Sequence, residues 1–214
     1  MTALVKHLGL ADYAATYEAM RTFTKDRDSS TPDEIWILEH PPVFTLGLAG
    51  DAGNLHSPSN QIPLVQVDRG GEVTYHGPGQ IVVYLLLDLK RLGIFVKELV
   101  SRIEQSLIDT LGDFGIQAER KPGAPGIYVS QQTGVSPEWF GAKVAALGLK
   151  VSKSCSYHGL ALNVATDLEA FGRIHPCGYE GLRTVDMQTL GIKDNIDSIS
   201  QKLLSHLQKQ LIPS

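Results

Sequence analysis

Cysteine is almost missing from this chain: two residues of 214, Cys155 and Cys177. Two thiols allow one bridge but not the dense cross-linking on which small secreted scaffolds depend. Long apolar runs are missing too. No stretch reaches the ~18 uninterrupted apolar residues of a membrane span. Residues 1–10, broken by His7 and Gly9, lack the apolar centre of a secretory signal. The expectation is a cytoplasmic protein with reduced thiols and no membrane partner. Basic charge is not in excess either. The net charge of −4 argues against a nucleic-acid partner held by bulk electrostatics. Low-complexity tracts and blocks of like charge, the marks of disorder, are absent.

Several ligand motifs are missing as well. There is no Cys-x-x-Cys and no His-Glu-x-x-His, so His76, His158, His175 and the two cysteines do not make a zinc site by spacing. The glycine-rich stretch has neither the Gly-Lys-Ser/Thr ending of a phosphate loop nor the dinucleotide fingerprint. No cofactor and no metal is expected.

What is present is an ordinary globular composition, 43% apolar and 20% charged, at a length that suits a single domain over 1–214. Periodicity predicts helices over 11–23, 96–111 and 198–211, and a helical turn over 167–171. Strands are expected over 35–38, 43–46, 64–67, 81–87, 127–129, 143–151 and 157–164. Residues 47–60 and 130–141 read as loops, and 121–126 as a turn. Strands cluster instead of alternating strictly with helices. That order favours an α+β fold, a mixed, mostly antiparallel sheet with helices packed on one side.

The richest local feature is Arg69-Gly70-Gly71-Glu72-Val73-Thr74-Tyr75-His76-Gly77-Pro78-Gly79-Gln80. Four glycines and a proline shape backbone instead of filling a core, and glycine lets backbone approach a ligand closely. Arg69, Thr74, Tyr75 and His76 supply charge, hydroxyls and an imidazole, just before an apolar strand. Cys177 sits between Pro176 and Gly178, where a turn could present its sulfur. It reads either as a nucleophile, through its thiolate, or as a small buried hydrophobe. Cys155 has no such punctuation and is the weaker candidate. Lys143 heads an apolar strand. It is either a solvated strand-end lysine or one desolvated against the sheet, where it could exchange protons. Gly148 and Gly159 interrupt their strands, which points to close approach by a ligand or by another backbone. His158 reads as a hydrogen-bonded structural or pocket residue.

Ordered blocks along the chain resemble the lipoyl(octanoyl)transferase family. They are Glu39-His40-Pro41-Pro42-Val43-Phe44-Thr45-Leu46-Gly47, the run from Arg69 to Gln80, and Ala124-Pro125-Gly126-Ile127-Tyr128-Val129. Further along come Lys143-Val144-Ala145-Ala146-Leu147-Gly148, His158-Gly159-Leu160-Ala161-Leu162-Asn163-Val164 and Pro176-Cys177-Gly178-Tyr179. The stretch 130–142 is longer than the short hairpin common in that family. The resemblance implies the fold of biotin and lipoate protein ligases, with Cys177 as acyl-thioester nucleophile and Lys143 as its proton-handling partner. It implies a substrate pocket lined by Arg69, Gly70, Gly71, Glu72, Val73, Thr74, Tyr75 and His76, by Ala146, Leu147 and Gly148, and by Gly159, Leu160 and Ala161. The expected donor is octanoyl-acyl carrier protein. The expected acceptors are lysines on lipoyl domains of 2-oxoacid dehydrogenases and on the glycine cleavage H protein, and a monomer is expected. Arg69, Lys121, Lys150 and Lys153 could form a basic rim for these acidic partners. The rival readings are an ATP-dependent lipoate or biotin ligase of the same fold, a non-catalytic acyl- or metal-binding protein, and a pure interaction module.

Overall fold

The computed structural model describes residues 3–57, 61–175 and 181–211. Seven strands, numbered along the chain, form the main sheet. Across it they run β1 (Leu4–Leu10), β2 (Glu34–Glu39), β6 (Gln80–Leu86), β10 (Cys155–Asn163), β9 (Lys143–Ser152), β8 (Ala124–Val129) and β7 (Ala118–Lys121). β1 lies parallel to β2, and every other neighbouring pair is antiparallel. A small second sheet has β3 (Val43–Leu46) between β4 (Leu64–Gln66), parallel, and β5 (Val73–His76), antiparallel. The fold is therefore α+β and mixed, mostly antiparallel, as the order of elements predicts.

Alternation along the central strands builds two cores. Ile35 and Ile37 of β2 and Ile81, Val83 and Leu85 of β6 belong to one apolar cluster. It is closed by the stripes Leu99, Ile103, Leu107, Leu111 of α3 (Val96–Asp113) and Ile199, Leu203, Leu207, Leu211 of α5 (Ile196–Leu211). The intervening residues Trp36, Leu38, Val82, Tyr84 and Leu86 belong to a second cluster with Met20 of α1 (Tyr13–Asp26). Helices thus cover both faces of the sheet, not one side. Trp36 and Leu38 needed a partner of their own, and α1 supplies it.

Three strands carry no sequence signal. β1 is a mostly exposed edge strand with a register shift between His7 and Gly9, so it shows no clean alternation. β5 lies inside the glycine-rich run, and β7 is short and largely exposed. The short α2 (Leu89–Leu92), capped by Asp88, was also not expected. Of the loop read over 47–60, residues 58–60 lie outside the described residues. Trp139 anchors the 130–141 loop by packing on the first core.

A buried ion pair joins four of these elements. Arg27, at the end of α1, donates to Asp33 Oδ1 at 2.6 Å and to Leu86 O at 3.1 Å. The same Asp33 oxygen accepts the Asp88 N–H at 2.8 Å. The Arg27 and Asp33 side chains are 3% and 9% exposed, so neither charge is satisfied by bulk water. Removing one partner of a buried pair leaves the other unpaired, which costs about 3–5 kcal/mol. Asp33→Ala should lose that much in urea unfolding. A loss under about 1 kcal/mol would show that the clasp is a solvated surface pair in energetic terms.

Candidate active site

A cavity of about 420 Å³ is lined by residues of β6, β10 and β9, together with Tyr13 of α1 and Val96 and Val100 of α3. Its floor follows from strand register. Ala146 pairs with Ala161, and Gly148 with Gly159, across β9 and β10. On the next strand Ala161 faces Val82 and Gly159 faces Tyr84. Small residues in register leave a trough, and larger ones on β6 bound it.

Both interrupting glycines answer to another backbone. A Cβ on Gly159 would stand 2.0 Å from Val83 O, and one on Gly148 would stand 2.9 Å from Gly70 O. The second contact is where the Arg69–Gly71 loop settles on β9, with Gly70 N–H donating to Leu149 O at 3.0 Å.

That loop is fastened by Asp68. The Tyr157 hydroxyl donates to Asp68 Oδ2, and His158 Nε2 donates to Asp68 Oδ1 at 3.1 Å. Consecutive strand residues ordinarily point to opposite faces. Here His158 has a φ of +59°, in the left-handed region, and its ring stacks on that of Tyr157 at 5.1 Å. The kink turns both side chains toward one carboxylate, at a backbone cost of about 1–3 kcal/mol. Burial alone would raise the Asp68 pKa. Its hydrogen bonds from His158, Tyr157 and Tyr17 outweigh that and hold it below the ordinary carboxylate value.

Arg69 is buried instead of standing on a rim. Its Nη2 donates to Thr45 O and to Thr45 Oγ1, both at 2.8 Å, and its Nη1 donates to Gly70 O at 3.1 Å. Lys121 donates to Gly141 O at 2.9 Å. The basic rim expected from the sequence therefore loses Arg69 to the cavity wall. Glu72 accepts from Asp51 N–H and from the Asn54 amide, both at 3.2 Å, and so holds the turn over 51–54.

His76 ends a hydrogen-bond chain whose polarity is determined. Asn163 Nδ2 donates to Val185 O, so Asn163 Oδ1 faces Gln80 Nε2. That same Nε2 also donates to Tyr75 O, which leaves Gln80 Oε1 to accept from His76 Nδ1 at 2.7 Å. His76 is thus protonated at Nδ1, and Nε2 keeps its lone pair. Burial, then the nearby His40, depress its pKa to about 3. His40 is fully buried, with Nδ1 donating to Ala11 O and Nε2 accepting from the Tyr84 hydroxyl, each at 2.6 Å. Burial lowers the pKa of His40 and of His158 as well.

Lys143 opens β9 and lines the cavity at 6% exposure, so the desolvated alternative describes its surroundings. Its Nζ donates to Pro125 O at 2.9 Å and stands 5.7 Å from the centre of the Tyr128 ring. Its backbone is laced to the segment after residue 180. Lys143 N–H donates to Arg183 O at 2.8 Å, and Val185 N–H donates to Lys143 O at 3.0 Å.

Of the residues expected at the pocket, Arg69, Gly70, Gly71, Glu72, Val73, Thr74, His76, Lys143, Ala146, Leu147, Gly148, Gly159, Leu160 and Ala161 all line the cavity. Tyr75 does not. It packs between Phe44 and Phe171 in a separate cluster, because alternation along β5 turns it away from His76. Cys177 lies outside the described residues, with Pro176, Gly178 and Tyr179. Cys155 is buried at the start of β10, off the cavity wall, and burial pushes its thiol pKa up. His175 stacks on His56 at 4.6 Å. Sequence reasoning did not single out Tyr13, Gln80, Tyr84 or Asn163. Only Gln80 and Asn163 stood inside quoted motif blocks, and nothing in single-chain spacing joins them. Among the described residues no group of three or more His, Cys, Asp or Glu side chains could hold a metal ion.

The buried histidines make stability acid-sensitive. His76 titrates near 6.5 when unfolded and near 3 when folded, so the unfolded chain binds the proton more readily. Its contribution is complete above pH 6.5 and is lost as the pH falls through that window toward 3. This one group removes up to about 1.4 kcal/mol per pH unit there, and His40 and His158 act in the same direction. The urea midpoint should therefore drop between pH 7 and pH 5, and His76→Gln should flatten the slope. Equal midpoints at both pH values in the unsubstituted protein would contradict neutral burial of these rings.

Comparison with known proteins adds to this geometry. The chain matches the lipoyl protein ligase A/B catalytic domain over residues 12–208. It is 87% identical over 214 residues to an octanoyltransferase of Polynucleobacter asymbioticus, covering all of both chains. A bi-partite lipoate protein ligase from Thermoplasma acidophilum has a TM-score of 0.72 at 14% identity, over 99% of this chain and 84% of that one. The biotin protein ligase of Aquifex aeolicus has a TM-score of 0.55 at 14% identity, over 99% and 69%. Such identities speak for the fold alone, and it is the ligase fold that the resemblance implied. A domain match across nearly the whole chain, with full-length identity to an octanoyltransferase, places this protein in the lipoyl protein ligase A/B family as one of its octanoyltransferases, an acyltransferase.

Proposed function

We propose that this enzyme moves an octanoyl group from octanoyl-acyl carrier protein, through a thioester on Cys177, to the ε-amino group of a lysine on a lipoyl domain. It does so in the cytoplasm as a monomer, and the acceptors are lipoyl domains of 2-oxoacid dehydrogenases and the glycine cleavage H protein. One observation carries the reading. The chain flanking residues 176–180 contributes Phe171 and Thr184 to the wall of the cavity that also holds Lys143, and Thr184 bridges to Lys143 itself. Those flanks support the reading that the sulfur carried between them works beside a buried amine and an acyl-sized trough.

Lys143 takes the thiol proton of Cys177, and the thiolate attacks the acyl carbon of the donor thioester. The new C–S bond forms as the old one breaks. The departing phosphopantetheine thiolate receives the proton from Lys143. One thioester replaces another, so no ATP is consumed. The acceptor lysine, deprotonated, then attacks the Cys177 thioester. A C–N bond replaces the C–S bond, Lys143 removes the amine's extra proton, and that proton returns to Cys177. The cavity volume falls within the usual range for small-molecule sites. Nothing in the mechanism uses Cys155, whose burial raises its thiol pKa and leaves it a poor nucleophile.

The reading is tested by incubation with octanoyl-acyl carrier protein, without ATP, followed by mass spectrometry of the intact chain and its peptides. One octanoyl group should appear on the Cys177 peptide. Cys177→Ala should abolish the adduct and Cys155→Ala should keep it. Lys143→Ala should slow transfer by about 10²–10⁴-fold, the usual weight of a positioned acid–base group. Acylation at Cys155, or a requirement for ATP, would overturn the assignment.

A further inference from the structure

The trough ends at a built wall. The trough's open row is Ala146 of β9 and Ala161 of β10, neither with a side chain larger than a methyl, while the neighbouring Gly148 and Gly159 are approached by the carbonyls of Gly70 and Val83. On β6 the same two rows meet Val82 and Tyr84. From β9 to β6 is two strand spacings, about 9–10 Å. An extended eight-carbon chain, seven bonds of ~1.5 Å in a zigzag, is about 9 Å long. The wall is also fixed. The Tyr84 hydroxyl donates to His40 Nε2 at 2.6 Å, and His40 Nδ1 is spent on Ala11 O at 2.6 Å. His40 is fully buried, with Tyr13 edge-on to it at 4.9 Å, so the phenol cannot swing aside without orphaning a buried imidazole.

We propose that Tyr84, pinned by His40, is the specificity-determining residue that stops the acyl chain at the octanoyl length. The inference rests on the acyl-transfer reading for the identity of the ligand, but not on the sulfur chemistry. A pinned phenol is a hard stop. A longer chain must displace the ring and break a buried hydrogen bond, a larger penalty than the poor discrimination a pliable apolar pocket gives for one methylene.

The test measures binding of straight-chain alkanoates from six to fourteen carbons by calorimetry, beside acyl-enzyme formation from thioesters of the same lengths. In the unsubstituted protein affinity should rise with each methylene up to eight carbons and then fall. Tyr84→Leu and Tyr84→Ala should move the optimum to ten or twelve carbons, with at least a tenfold gain for dodecanoate over octanoate relative to the unsubstituted protein. Tyr84→Phe keeps the ring but loses the pin, so it should soften the limit at eight carbons, with a smaller gain for ten carbons than Tyr84→Leu shows, and lower the thermal midpoint, because His40 loses its donor. A merely structural tyrosine would lower stability in all three variants and leave the optimum where it was. Should Tyr84→Ala fail to fold, Tyr84→Leu, which keeps an apolar side chain in the same core, decides the matter. An optimum still at eight carbons in a folded Tyr84→Leu protein, or no ceiling at eight in the unsubstituted protein, overturns the proposal. A ceiling at eight that moves with Tyr84, in a protein that forms no acyl-enzyme, would support the end wall and sink the transfer mechanism instead.

Discussion

The site depends on a single carboxylate. Asp68 takes the Tyr157 hydroxyl on one oxygen and the His158 imidazole on the other, which is possible only because His158 leaves the ordinary strand conformation. Two consequences follow. The glycine-rich loop that begins at the next residue is laid against β9, where Gly70 can approach only because position 148 has no side chain. The imidazole of His158 is turned onto the same wall as Tyr84 and the small residues of β10. Local strain at one residue thus sets the roof of the cavity, while strand register sets the floor. A one-residue slip of β10 against β9 or β6 would send Ala161 and Gly159 to the opposite face and fill the trough.

Within that enclosure the polar groups are arranged to stay uncharged. His40, His76 and His158 are each depressed by burial, and each has a nitrogen committed to a fixed partner: a backbone carbonyl, a side-chain amide or a carboxylate. For His40 and His76 the partner also selects the tautomer, because the chain of donors ends on backbone oxygens that cannot donate. The result suits a cavity for an apolar ligand. Neutral rings of fixed orientation add shape without requiring counter-ions, and a buried charge there would cost far more than it returns. The charged groups in the wall are tied to fixed oxygens. Arg69 is tied to Thr45 and the loop backbone, and Lys143 to Pro125 O.

Much of this was legible along the chain, and the gaps have identifiable causes. Strand 43–46 and helix 96–111 stand nearly where the sequence predicts them, the strand as a short run buried throughout and the helix through its one buried stripe. The glycine-rich run announced a site but hid strand β5, since the glycines on either side drew the β-formers Val73, Thr74 and Tyr75 into the reading of a loop. Reading its polar residues as a set also misplaced Tyr75, which alternation sends to the opposite side from His76. Arg69 looked like a surface cation because nothing in sequence links it to Thr45, twenty-four residues earlier. Tyr84 and Tyr13 were invisible as pocket residues for a related reason. An aromatic inside an apolar strand, or at the first turn of a helix, reads as core until the fold shows which core it faces. Helices on a single side of the sheet was a sound inference from element order, yet it ignored that both faces of β2 and β6 are apolar.

The same fold in lipoate and biotin protein ligases shows why architecture alone could not choose a reaction. A trough of small residues under a glycine-rich loop will accept an aliphatic acid whether it arrives as a free carboxylate or as a thioester. What separates the two chemistries is the reacting end. Activation of a free acid by ATP needs room and donors for a polyphosphate, whereas thioester exchange needs only a thiol and a group to carry its proton. Here Lys143 is bonded through both its N–H and its C=O to the segment 183–185, which follows Pro176-Cys177-Gly178 in sequence. Lys143 is therefore held in place by the chain that resumes after residues 176–180.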